Sequence, residues 1–177
     1  MEYWEDLKLW WWNGYGYEIT GQMACPLVAD LVSKFREAAE GTSDLKGTFY
    51  FTHTPSVQTF ATAIGLNRDP RPLTSTNYAD NVDRAFQASK VIPVTSNVEF
   101  DLWECDGEVK VTVRQQEYDI ELPGCDGLVC DYQTFLDVLG PMAENCDVAS
   151  TCQAQTESMY GATFGAIWKY FTTIVSL

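Results

Sequence analysis

Apolar and polar residues alternate most regularly in the second half of the chain, over residues 98–102 and again over residues 109–113. Asp106-Gly107 lies between the two runs, and this dipeptide is typical of a tight hairpin turn. A third short run follows at residues 118–122. We therefore predict antiparallel strands with one face in contact with water.

Apolar residues recur at helical spacing in several other segments. In the first of them, Trp4, Leu7 and Trp11 form one stripe that we expect to face the protein interior. The last is followed by Gly140-Pro141, which we expect to end the helix. The predicted helices comprise residues 2–13, 26–40, 77–86 and 131–139.

One short apolar run fits neither pattern. Phe49, Tyr50 and Phe51 are consecutive strand-favouring aromatics, which is typical of a strand covered on both faces. Helical spacing resumes over residues 56–66, and His53, the only histidine, lies between the predicted strand and the predicted helix. Because helix N-termini favour anions, His53 is a candidate anion-binding residue, with a purely structural histidine as the alternative.

Charge argues against several partner classes. Eleven basic and 25 acidic residues give a formal net charge of −14, and the basic residues form no run along the chain. Such a protein repels nucleic acid and other polyanions, so we predict no nucleic-acid partner. A phosphorylated substrate requires a local pocket that acts against this overall field.

The six cysteines predict disulfides. Their spacing lacks the paired arrangement of a zinc site, and one histidine adds little to a ligand set, so we predict no metal and no cofactor. Disulfides indicate the secretory pathway or the extracellular space. Residues 1–13 nevertheless lack the features of a signal peptide. We resolve this conflict by expecting that an N-terminal portion of a parent protein is not in this chain.

Several motifs together resemble one known family, the branch-2 histidine phosphatases, which include histidine acid phosphatases, phytases and multiple inositol polyphosphate phosphatases. Phe49-Tyr50-Phe51-Thr52-His53, followed by an apolar helix, is similar to the second signature of that family. The order and spacing of further motifs resemble the C-terminal part of a multiple inositol polyphosphate phosphatase. These motifs are Gly14-Tyr15-Gly16-Tyr17, Met23-Ala24-Cys25-Pro26-Leu27, Val91-Ile92-Pro93, Leu102-Trp103-Glu104-Cys105 and Leu122-Pro123-Gly124-Cys125.

The resemblance implies an α/β fold with a central strand and an antiparallel hairpin flanked by helices, incomplete as a domain. Residues 1–152 correspond to the C-terminal part of such a domain: residues 1–44 to helices of the helical subdomain and residues 45–152 to the α/β core. Residues 153–177 form an apolar tail beyond the resemblance. We interpret the tail as a packed or interfacial helix, and a remnant membrane anchor is the alternative.

The resemblance also implies the chemistry, which is two-step hydrolysis of phosphomonoesters. The nucleophilic histidine of the family belongs to an Arg-His-Gly-x-Arg-x-Pro signature that this chain does not contain. His53 takes the phosphate-pocket role, and Thr54 and Pro55 occupy the general-acid position, where neither can protonate a leaving group. We therefore predict that the chain alone is inactive, a pseudoenzyme or fragment.

Partners follow from the same resemblance. The expected substrate is an inositol polyphosphate or another phosphomonoester, provided that the N-terminal half is supplied. The alternative is a non-catalytic secreted protein derived from this fold, which binds phosphate or another protein. In the family the Pro-Gly-Cys loop closes locally, which implies a Cys125–Cys130 bridge. We further expect Cys146–Cys152, which leaves Cys25–Cys105.

Overall fold

A computed structural model describes residues 2–151 as seven α-helices, a short 3-10 turn at Tyr78–Asp80 and a four-stranded antiparallel sheet. The helices are α1 (Glu2–Trp12), α2 (Glu18–Gln22), α3 (Cys25–Ala39), α4 (Thr54–Ala63), α5 (Ala88–Val91), α6 (Tyr132–Glu144) and α7 (Val148–Thr151). The strands are β1 (Val98–Cys105), β2 (Glu108–Gln115), β3 (Tyr118–Ile120) and β4 (Val129–Asp131). The predicted α/β fold with an antiparallel hairpin flanked by helices is confirmed.

Strand β2 is the centre of the sheet. It pairs with β1 along one edge, and with β3 and β4 along the other. The turn between β1 and β2 has positive φ at both Asp106 and Gly107, at 53° and 81°, which is the geometry that matches the twist of a hairpin. The predicted hairpin and the short third strand are therefore confirmed, whereas β4 was not predicted.

The main hydrophobic core lies between one face of the sheet and three helices. Val111 and Val113 of β2 are buried against Val28 of α3, Phe60 of α4 and Phe135 of α6. On the opposite face of the hairpin, charged side chains pair in solvent, as Arg114 does with Glu99 and Asp101. The alternation in the sequence therefore marks a sheet with one buried face.

A second, smaller cluster surrounds the C-terminal half of α1, where Trp10 packs with Leu73 and Phe86. Next to it, Asp6 is fully buried and pairs with the guanidinium of Arg84. Of the predicted inward stripe, Leu7 and Trp11 pack against this cluster, whereas Trp4 is exposed, and the most buried positions of α1 are Asp6 and Trp10. Apolar periodicity alone could not place Asp6 in the interior, since a carboxylate is buried only when a partner such as Arg84 pairs with it.

The predicted helix over residues 77–86 is reduced to the 3-10 turn. The carboxylate of Asp69 accepts the backbone N–H groups of Ala85 and Phe86, at 2.7 and 3.0 Å. The Asn81 side chain donates to the carbonyl of Asn77 at 2.7 Å. These side chains bind backbone groups that a helix would use, which is how Asp and Asn compete with helical hydrogen bonding.

Helix α6 does not end before Gly140-Pro141 as predicted but continues to Glu144. Pro141 removes one backbone donor from the helix interior. Met142 and Ala143, which follow the proline, pack against the main core, and this burial offsets the lost hydrogen bond. The side chain of Asn145 then donates to the carbonyl of Pro141 at 2.7 Å, where the helix ends.

The predicted central strand at Phe49–Phe51 is absent. Residues 42–53 form no regular secondary structure, and all three aromatic side chains are exposed. Within residues 2–151 the sheet consists of β1 to β4, so this segment has no neighbouring strand with which to pair. The run has the composition of a covered strand, but composition cannot supply the neighbours that would cover it.

Two of the three expected disulfide pairings require correction. Cys125–Cys130 is present, but Cys25 pairs with Cys146 across 121 positions, and Cys105 is a free, exposed thiol. Cys25 opens α3 and Cys146 follows the end of α6, and these two helices pack side by side. The packing of α3 on α6 thus joins cysteines that are far apart in the sequence, whereas Cys105 lies at the exposed tip of the hairpin. Cys152 lies outside the described residues.

The apolar tail at residues 153–177 also lies outside the described residues. Between residues 2 and 151, no helix combines the length and the apolar character that crossing a bilayer requires.

Tyr15 provides a pH-dependent test of the second cluster. Its hydroxyl donates to the carbonyl of Leu66 at 2.6 Å, and burial raises the pKa of the phenol, against a smaller opposing effect of Arg68. The pKa of the Tyr15 phenol is therefore higher in the folded protein than in the unfolded chain, where it is about 10. The contribution of this phenol to stability is fully present below about pH 10, and it is lost as the pH rises through the folded-state pKa. We expect Tyr15→Phe to remove the last tyrosinate absorbance step in an alkaline titration. An unchanged final step would contradict this burial.

Candidate functional site

Helix α4 carries the candidate site and is fixed to α1 by two polar contacts. The Gln58 side chain, which is fully buried, donates to the carbonyl of Leu9 at 3.0 Å. One turn later, the Thr62 hydroxyl donates to the carbonyl of Asn13 at 3.2 Å. These contacts satisfy carbonyl groups at the end of α1, and they orient α4 so that its N-terminus projects from the surface.

The end of α4 is fixed by glycine. Gly65 has a φ of 83°, a conformation that favours glycine. Its N–H binds the carbonyl of Thr62 at 3.1 Å, and the N–H of Leu66 binds that of Ala61 at 2.9 Å, which is the Schellman pattern. Phe60, Ala61 and Leu66 are all buried nearby. The predicted helix with Gly65 near its end is confirmed.

The N-terminus of α4 presents the predicted site residues next to one another at the surface. His53 is the N-cap residue, with extended backbone angles of φ −100° and ψ 162°, and its side chain does not cap the helix. Thr54 is the first helical residue, and Pro55 follows in the first turn, where its missing N–H is no loss. Each of the three residues is exposed.

Backbone geometry leaves one donor at this helix end. The carbonyl of His53 accepts the N–H groups of Ser56 and Val57, at 3.0 and 3.3 Å. Pro55 has no N–H, so in the part of the chain that the structure describes, the free first-turn donor is the N–H of Thr54. This N–H, the positive end of the helix dipole and the His53 imidazole can together bind an anion.

The surroundings of this helix end provide little further catalytic chemistry. Arg68 follows the opposite end of α4, and its guanidinium lies over the ring of Tyr15, 5.4 Å from its centroid. Thr54 and Pro55 offer no acid, and no cluster of metal-ligating side chains occurs anywhere in residues 2–151. Sequence reasoning did not identify Gln58 and Thr62 as the residues that fix α4. Their spacing of four, on the helix face that carries apolar residues, was the available clue.

Comparison with known proteins places these observations in a family. Residues 1–122 match the family model of the histidine phosphatase superfamily (branch 2). The multiple inositol polyphosphate phosphatase 1 of Homo sapiens is 24% identical over 86% of this chain and 34% of its own length. The protein of the same name from Dictyostelium discoideum is 25% identical, over 85% of this chain and 32% of its own length.

Acid phosphatases are also similar to this chain. A probable acid phosphatase of Saccharomyces cerevisiae is 25% identical over 95% of this chain and 36% of its own length. The chain thus spans about a third of the length of the curated relatives that it matches. Because the family match covers more than half of its residues, the chain belongs to branch 2 of the histidine phosphatase superfamily.

Proposed function

We propose that this chain supplies the phosphate-binding side of a histidine phosphatase site, and that the nucleophilic histidine of that site belongs to residues outside this chain. The observation that carries the proposal is the exposed His53 at the N-terminus of α4, next to the free N–H of Thr54. A dianionic phosphoryl group is the ligand that this combination of imidazole, amide and helix dipole binds best.

The substrate class follows from the relatives. Some of them are named multiple inositol polyphosphate phosphatases, and others are named acid phosphatases. We propose an inositol polyphosphate or another phosphomonoester as the ligand of the complete site. Two disulfides fit an oxidising environment, so we propose that the protein belongs to the secretory pathway or the extracellular space. In this proposal, residues 1–44 are helices of the helical subdomain and residues 45–152 belong to the α/β core.

We expect no hydrolysis by this chain alone. The sequence contains one histidine, and Thr54 and Pro55 provide no general acid. General-acid catalysis alone contributes about 10²–10⁴-fold. Uncatalysed monoester hydrolysis requires accelerations of up to ~10²¹-fold. One imidazole at a helix end cannot supply the difference.

The activity test measures phosphate release from inositol hexakisphosphate and from a generic phosphomonoester. The expected result for the purified chain is the rate of buffer alone, and the same rate for His53→Ala. Turnover above that background which disappeared in His53→Ala would contradict the proposed inactivity.

A binding test addresses the phosphate role directly. Because His53 is the only histidine, its imidazole gives unambiguous nuclear magnetic resonance signals. We expect inositol hexakisphosphate to shift these signals in a saturable way, and Arg68→Gln to leave the shift unchanged, since Arg68 lies over Tyr15. No shift at saturating ligand would refute the phosphate role. Binding without turnover, even after an N-terminal portion with the Arg-His-Gly signature is supplied, would favour a non-catalytic binding protein.

A further inference from the structure

One asparagine of this chain is followed directly by glycine, and the pair lies where α1 ends. Asn13 and Gly14 come after Trp12, the last residue of that helix. Among residues 2–151, the backbone N–H of Gly14 donates no hydrogen bond, and the Asn13 side chain, which is partly exposed, has no hydrogen-bond partner either. The side-chain amide and the next backbone nitrogen are therefore both free to react with one another.

The other asparagines lack this combination. No other asparagine in the sequence precedes a glycine. Asn97 precedes Val98, whose β-branched side chain crowds the backbone at the start of β1. The remaining four each donate a side-chain N–H to an oxygen acceptor at 2.7–2.9 Å, and they are Asn67, Asn77, Asn81 and Asn145.

We propose that Asn13 is a site of spontaneous deamidation in the folded chain, with isoaspartate as its main product. The backbone nitrogen of Gly14 attacks the side-chain carbonyl carbon, Cγ, of Asn13 and loses its proton, and the side-chain nitrogen leaves as ammonia. The product is a five-membered succinimide, which water then opens. Cleavage between the ring nitrogen and Cγ gives aspartate. Cleavage between the ring nitrogen and the main-chain carbonyl carbon gives isoaspartate, in which the chain continues through the side chain.

The setting of the two groups favours this reaction. An intramolecular attack is fast when the reacting atoms are already neighbours. Neither group has a hydrogen bond that must break first, and Gly14 has no side chain to obstruct ring closure. The Asp106-Gly107 step at the hairpin tip offers the same geometry with a carboxylate in place of the amide. A carboxylate is ionised at neutral pH and lacks a good leaving group, so we expect that step to react more slowly.

Isoaspartate at position 13 disturbs the contact between α1 and α4. The main-chain carbonyl of Asn13 accepts the hydroxyl of Thr62 at 3.2 Å. In isoaspartate this carbonyl becomes a free carboxylate, and one additional carbon enters the main chain before Gly14. The packing there is tight, because a Cβ atom on Gly14 would lie 2.9 Å from the carbonyl oxygen of Trp10. The end of α1 must shift, and the new negative charge also opposes the helix dipole.

Peptide mapping by mass spectrometry tests the proposal on the full chain, incubated at mildly alkaline pH under conditions in which it stays folded. We expect Asn13 to convert before every other asparagine, at a rate that is independent of protein concentration because the attack is intramolecular. An isoaspartate-specific methyltransferase should label the same peptide. Asn13→Gln should abolish the labelling there, because a longer side chain must close a six-membered ring. Asn97→Gln is the matched control and should leave the rate at Asn13 unchanged.

The structural consequence has its own measurement. The isoaspartate fraction, separated by ion exchange, is expected to unfold at a lower urea concentration than the unreacted fraction of the same incubation. Its imidazole signals from His53 should also shift, since Thr62 and His53 belong to the start and end of one anchored helix. Earlier conversion of another asparagine, no conversion at Asn13, or identical unfolding of the two fractions would overturn the proposal. None of these outcomes depends on phosphate binding at His53.

Discussion

Removing the Cys25–Cys146 disulfide is expected to lower the free energy of unfolding by about 4–5 kcal/mol, the largest effect among the changes considered for this protein. The bridge closes a loop of 121 positions, and the entropy that a cross-link removes from the unfolded chain grows with the logarithm of loop length. The double substitution Cys25→Ala and Cys146→Ala, followed by denaturant unfolding, measures this cost.

The Cys125–Cys130 bridge is the matched control. It spans 5 positions, so the same relation gives about 2 kcal/mol for Cys125→Ala with Cys130→Ala. Cys105→Ala should leave stability almost unchanged, because that thiol is free and exposed. Equal costs for the two bridges would contradict the structure. So would peptide mapping under non-reducing conditions that recovered Cys25 linked to Cys105.

Replacing Asp6 by alanine is expected to cost about 3–5 kcal/mol of stability. Asp6 is fully buried, accepts the Arg84 Nε–H at 2.6 Å and the backbone N–H of Ala88 at 2.7 Å, and has no exposed surface. Its loss leaves the guanidinium of Arg84 buried without a counter-charge, and that desolvation is the source of the cost. Chemical denaturation of Asp6→Ala against the unmodified chain provides the measurement.

A surface ion pair of similar chemistry is the control for this prediction. Arg36 and Glu144 are 3.0 Å apart, and both side chains are well exposed to solvent. Glu144→Ala should cost less than about 1 kcal/mol. Joint replacement of Asp6 by leucine and Arg84 by methionine should cost less than Asp6→Ala, because no uncompensated charge remains. If Asp6→Ala and Glu144→Ala were equally mild, the buried pair would not stabilise the second cluster.

The candidate site was predictable from the sequence only in its local part. Pro55 and the apolar spacing after it predicted the start of α4, and His53 was placed correctly at its N-terminus. The direction in which that helix end points depends on Gln58 and Thr62, which bind carbonyl groups of α1 and of the residue just after it, about fifty positions away. Long-range polar contacts of this kind have no periodic signature, because they depend on where another element ends.

The sequence by itself determined the hairpin with its Asp106-Gly107 turn, the α/β class and the helices on either side of His53. It did so through local stereochemistry and through the periodicity of apolar residues. Tertiary structure decided that Asp6 of α1 is buried, which cysteine pairs with Cys25, and that Phe49–Phe51 remains outside the sheet. The physical reason is that turns and amphipathic faces depend on nearby residues. A buried charge, a disulfide that closes a long loop and a paired strand each require a partner that is distant in the sequence. Whether that partner lies close enough is decided only by the folded arrangement of the chain.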